Sequence, residues 1–84
     1  MPTVEEYKVR FLRQLVEAAA QGPETVLVLQ IDPSSDESIR AVAELVIEGV
    51  IVFDEDSGWY LLTDFGTRKA DQLIRELEMK HRRQ

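Results

Sequence analysis

Leu45-Val46-Ile47-Glu48-Gly49-Val50-Ile51-Val52-Phe53, then Asp54-Glu55-Asp56-Ser57-Gly58, then Trp59-Tyr60-Leu61-Leu62-Thr63-Asp64-Phe65-Gly66 form the stretch whose reading decides the fold. Gly49 stands just past an apolar helical run, where a chain leaves a helix through a left-handed residue that glycine adopts readily. Residues 50–53 are β-branched or aromatic throughout and predict a strand. Residues 54–58 are turn formers, and residues 59–62 predict the returning strand of a hairpin. Tyr60 and Leu62 alternate on that strand and so face one side. Thr63 is placed to cap a helix that follows at once.

Upstream, Asp32-Pro33-Ser34-Ser35 is a turn; Ser34 with Glu37 forms a capping box, or Ser35 caps instead. Ile39, Val42, Ala43 and Val46, with Leu45 alongside, predict the apolar face of the helix that Gly49 ends. Residues 25–32 are ambiguous: their β-branched content suits a buried strand, and their position suits a short helix opened by Thr25. Before them, Thr3 and Glu6 make a capping box, and Val4, Tyr7, Phe11, Leu15 and Ala18 share one helical face. Gly22-Pro23 ends that first helix. Downstream of Thr63, Ala70, Leu73, Ile74 and Leu77 recur at helical spacing, with Lys80, Arg82 and Arg83 opposing the dipole at the far end. Gly66 falls in the first turn of this last helix, where glycine is a poor former.

At 84 residues the chain makes one small domain, which buries about 60 to 65% of its unfolded surface. Its 44% apolar and 31% charged residues are those of a globular protein. With no cysteine, disulfides and zinc–thiolate sites are excluded, and a reducing, cytoplasmic setting is the expectation. The longest apolar runs, 26–29 and 50–53, are too short to cross a bilayer, and no signal peptide is expected from the opening residues. Catalysis finds no support. His81 sits in a basic terminal turn, no glycine-rich phosphate loop occurs, and 54–58 is too short for a calcium-binding loop, so neither cofactor nor metal is expected.

Leu45-x-x-x-Gly49-Val50-Ile51 and Tyr60-x-Leu62-Thr63-x-x-Gly66, set in the order helix, short element, helix, hairpin, helix, resemble winged helix-turn-helix regulators of the MarR and PadR kind. The likeness spans residues 7–77. It implies an α+β fold: a small winged helix with a three-helix core, a β-hairpin wing and a C-terminal helix, in a single domain over 1–84. Leu27, Val28 and Ile31 fall where such a fold buries its second helix. The resemblance further implies a third helix, beginning near Ser35, that reads a major groove, and a wing that crosses phosphates.

Charge argues against that use. Residues 24–64 carry ten carboxylates against one base, Arg40, for a net −9, while nine bases and six acids on the flanks leave +3 and bring the chain to −6. Non-specific affinity for DNA comes from several cationic contacts to phosphate, and this segment offers one cation. The expected function is therefore protein–protein interaction, as an adaptor or inhibitor docking on the basic surface of a nucleic-acid-handling partner. Asp36, Glu37, Glu44, Asp54, Glu55 and Asp56 would supply charge, and Trp59 an apolar anchor. Because residues 50–53 are all apolar, two of them should face away from the domain's own core. The bases on the first helix, Lys8, Arg10 and Arg13, and those on the last are expected on solvated faces. The alternative is a homodimeric DNA-binding transcription regulator, paired through its first and last helices, with Ser35, Ser38 and Arg40 reading bases.

Overall fold

Thr3 accepts a hydrogen bond from the Glu6 N–H at 3.2 Å and opens the first helix, α1 (Val4–Ala20), with Glu5 and Glu6 in the turn where the helix dipole favours acids. The structure, a computed structural model, describes residues 3–21 and 31–82. The ambiguous stretch 25–32 therefore lies outside the described residues apart from Ile31 and Asp32, and so does the Gly22-Pro23 stop. Tyr7, Phe11, Leu12 and Leu15 bury one face of α1, as the spacing predicts, but Lys8 joins them there instead of facing solvent.

Asp32 folds the approach to the next helix. Its carboxylate accepts from the Ser34 N–H at 2.9 Å and the Ser34 hydroxyl at 2.6 Å. Ser35, not Ser34, is the cap of α2 (Asp36–Ile47), accepting from the Ser38 N–H at 3.3 Å. The buried face of α2 is Ser38, Ala41, Val42 and Leu45. This corrects the predicted face, since Ile39, Ala43 and Val46 point outward. Both sets fit a helical period, and Ser38 is admitted to the core because its hydroxyl accepts from the Asp32 N–H at 3.1 Å.

The exit from α2 is a double hydrogen bond around Gly49, which has φ +78°. The Gly49 N–H reaches the Val46 carbonyl at 3.0 Å and the Val50 N–H the Leu45 carbonyl at 3.0 Å, with Val50 and Leu45 both buried beneath it. Because Val50 spends its N–H on the helix end, the strand begins one residue later than the sequence predicts. β1 (Ile51–Asp54) pairs antiparallel with β2 (Trp59–Leu62), Ile51 opposite Leu62 and Phe53 opposite Tyr60. Gly58, at φ +77°, and the Asp54 carboxylate, which accepts from the Ser57 hydroxyl at 2.8 Å, shape the turn between them.

Thr63 then caps α3 (Asp64–Arg82), accepting from the Gly66 N–H at 2.9 Å. Ala70 is buried, and Leu73, Ile74 and Leu77 pack on the core as their spacing predicts. α1 packs against both α2 and α3, and the hairpin lies against the helices along β2 and the start of β1. The fold is α+β, in the order α-α-β-β-α, and is compatible with the winged-helix arrangement. No helix among the described residues is long and apolar enough to cross a membrane.

Gly66 has a reason that helix propensity hides. A Cβ at this position would lie 2.9 Å from the Val50 carbonyl carbon and closer still to its oxygen, which is backbone and cannot rotate away. On propensity alone Gly66→Ala should stabilise the helix by about 1 kcal/mol. The steric contact reverses the sign: a loss of about 2 kcal/mol or more is expected, seen as a thermal midpoint lower by on the order of 10 °C. A raised midpoint would mean that α3 shifts freely on Val50.

Candidate interaction surface

The outward face of α2 carries, one turn after another, Asp36, Ile39 and Arg40, Ala43, then Val46 and Ile47. All six are exposed, Ile47 to 83%. Ile39, Ala43, Val46 and Ile47, with Ile31 and Tyr60 opposite, line an open groove of about 430 Å³ with Val42 beneath. Tyr60 reaches it because the inward side of the hairpin carries Ile51, Phe53, Tyr60 and Leu62, the residues paired across the strands. Ile51 and Leu62 cover the core, while Phe53 and Tyr60 lie further out, with ring centroids 5.2 Å apart. The opposite side shows Val52 and Leu61, paired and both nearly half exposed. Of the apolar run 50–53, Val52 and Phe53 are thus the two left outside the core.

The acids divide into separate groups. Asp36 stands at the start of the α2 stripe, and Glu37 beside it accepts from the Ser35 hydroxyl at 3.3 Å. Asp54 organises its own turn, leaving Glu55 and Asp56 exposed at the tip, just beyond Phe53. Trp59 pairs with Asp54 at the end of the ladder, on the side away from Tyr60, and so stands apart from the groove. Glu44 pairs across to α1 while staying partly exposed: its carboxylate lies 2.8 Å from the Lys8 ammonium, and Glu48, one turn on, lies 3.1 Å from it.

Of the residues suited to reading bases, two are turned away. Ser38 is 0% exposed and hydrogen-bonded inside; Ser35 is buried as the α2 cap. Arg40 is exposed and is the one base on α2. On the other helices Arg10 lies over the Tyr7 ring, 5.2 Å from its centroid, and Arg13 pairs with Glu78 across α1 and α3.

Among the described residues Lys8 is the one charged side chain that is buried. Only 6% of it is exposed. Burial alone would lower its pKa; hydrogen bonds and charge from Glu44 and Glu48 outweigh that and leave it above its ordinary 10.5. Asp32 moves the other way, held below its ordinary 3.8 by the hydroxyl and then the N–H of Ser34.

Against family models, curated proteins and solved structures, the chain finds no match. The groove must be read from its own chemistry. Sequence reasoning placed Ile39, Ala43 and Val46 in the core and so missed it. One signal was present: Ile39, Ala41, Val42, Ala43, Leu45, Val46 and Ile47 are too many apolar residues for one stripe of a twelve-residue helix.

Removing the Lys8 ammonium leaves two carboxylates facing α1. Because both are partly exposed and can rehydrate, Lys8→Met should cost about 1–2 kcal/mol, between the surface and the fully buried cases. The pH dependence has a definite sign. A pKa raised on folding contributes stability that is complete below the unfolded value and is lost as pH climbs past 10.5 through the folded one. Thermal melts from neutral to strongly alkaline pH should show the wild type losing its advantage over Lys8→Met in that range, and equal slopes would remove the pair from the account.

Proposed function

We propose that this protein acts by protein–protein interaction, offering the outward face of α2 and the Tyr60 side of the hairpin to a partner with a basic surface. It is an adaptor or inhibitor on a domain of winged-helix type, and a nucleic-acid-handling protein is a natural partner because its cationic groove attracts carboxylates. The observation that carries this reading is the apolar run Ile39, Ala43, Val46 and Ile47 on the helix face where base reading would require donors and cations. An exposed apolar surface rimmed by charge is the ordinary form of a protein interface. Reading DNA would fall to Arg40 with little help, since Ser35 and Ser38 face inward. The alternative pairing of two copies through α1 and α3 is less favoured, because those helices already pack on each other within one chain.

Two changes test the reading. Ile47→Glu alters a side chain 83% exposed, so the thermal midpoint should stay within about 0.5 kcal/mol of wild type. Lysine at Asp54, Glu55 and Asp56 reverses the charge of the turn. With tagged protein as bait, proteins retained by wild type should be lost with both variants, while labelled duplex DNA at about 50 mM salt shows no rise in anisotropy. Retention unaffected by either change would refute the reading. Salt-sensitive micromolar binding to DNA would restore the regulator.

A further inference from the structure

Along the groove wall formed by α2 a small residue stands between large ones, Ala43 one turn from Ile39 on one side and from Val46 and Ile47 on the other. That is a notch. Helices pack by seating the side chains of one between those of the other, and a small residue at the crossing lets the axes approach to about 8 Å. Secondary structure adds a constraint. Between residues 39 and 47 the backbone of α2 is committed to its own helix. An extended segment laid along α2 would find no main-chain partners on that wall, whereas a helix satisfies its own. Charge fixes the sign of the occupant. Asp36 heads the stripe, Arg40 stands beside Ile39 on it, and the Asp54–Asp56 turn starts directly beyond Phe53, whose ring packs on Tyr60, so the acids of the helix start and the turn outnumber the one base. A second copy of a chain with net charge −6 would meet these carboxylates with its own, which opposes self-association through this face.

We infer that the groove between α2 and Tyr60 receives an amphipathic helix of a partner protein, with a large apolar side chain seated over Ala43 and Lys or Arg flanking its apolar stripe. The inference rests on the interaction reading above and names the occupant of that surface.

Calorimetric titration of the full chain with synthetic peptides of about 16 residues, long enough to hold a helix, tests it. One peptide carries leucines at helical spacing among lysines, a second has the same composition scrambled to destroy the stripe, and a third replaces lysine with glutamate. The striped basic peptide should bind saturably, the other two at least about tenfold more weakly, and Ala43→Leu should weaken the striped peptide by about tenfold or more. Ala43 is exposed, so this variant should melt like wild type. Equal binding of striped and scrambled basic peptides would overturn the inference and leave a charge-driven interaction standing. Equal binding to wild type and Ala43→Leu would place the site elsewhere and overturn it too. If no peptide binds but Ile47→Glu still abolishes retention of proteins by the bait, the occupant is not a helix and the broader reading survives. If both fail, both fall.

Discussion

Two successive carbonyls, those of Gly49 and Val50, hold the parts of this domain together. The Thr63 hydroxyl donates to the Gly49 carbonyl at 2.5 Å and approaches that of Val50 at 3.2 Å, and the Thr63 N–H reaches Val50 at 3.0 Å. The same hydroxyl accepts from the Gly66 N–H, so one side chain joins the end of α2, the base of the hairpin and the start of α3. Gly49 supplies the left-handed turn that presents these carbonyls, and Gly66 the bare backbone that lets α3 approach them. With Val50 fixed, Ile51 enters the core, and the alternation of the strands sends Tyr60 toward α2.

The second constraint is the Lys8 ammonium between Glu44 and Glu48. It ties α1 to the C-terminal half of α2 on the side adjoining the core. A lysine so nearly covered requires its partners, and two carboxylates one helical turn apart bracket a single ammonium. Two acids counted in the sequence as part of a negative face thereby have their charge shared with a lysine of the same molecule, although both stay partly exposed. The surface that remains is less acidic than the residue count suggests, and more apolar.

The junction was legible in the sequence because its demands are local. A glycine past a helix end, a threonine before a helix and a strand alternation each act over a few residues, and they located both strands and two helix starts within a residue. The partition of α2 was not legible, because Ile39-Val42-Ala43-Val46 and Ser38-Ala41-Val42-Leu45 satisfy the same period. The choice between them depends on tertiary partners: the Asp32 N–H that takes up the Ser38 hydroxyl and the Lys8 that draws in Glu44. A serine in the core and a lysine beside it are the residues that hydropathy places outside. Gly66 was visible but unexplained, since its cause is a carbonyl sixteen residues away in sequence.

Both faces of α2 carry apolar residues, and among the described residues the core covers only one of them. On the proposed reading the outer stripe serves binding, and left uncovered it would expose the chain to self-association. The carboxylates around it bear on that hazard directly. A surface whose rim repels its own copy and attracts a cation keeps its apolar residues available for a different molecule. On the proposed reading the acids therefore act twice, keeping copies apart before binding and selecting the partner that covers the stripe, and neither effect requires the charge to lie within the apolar contact itself.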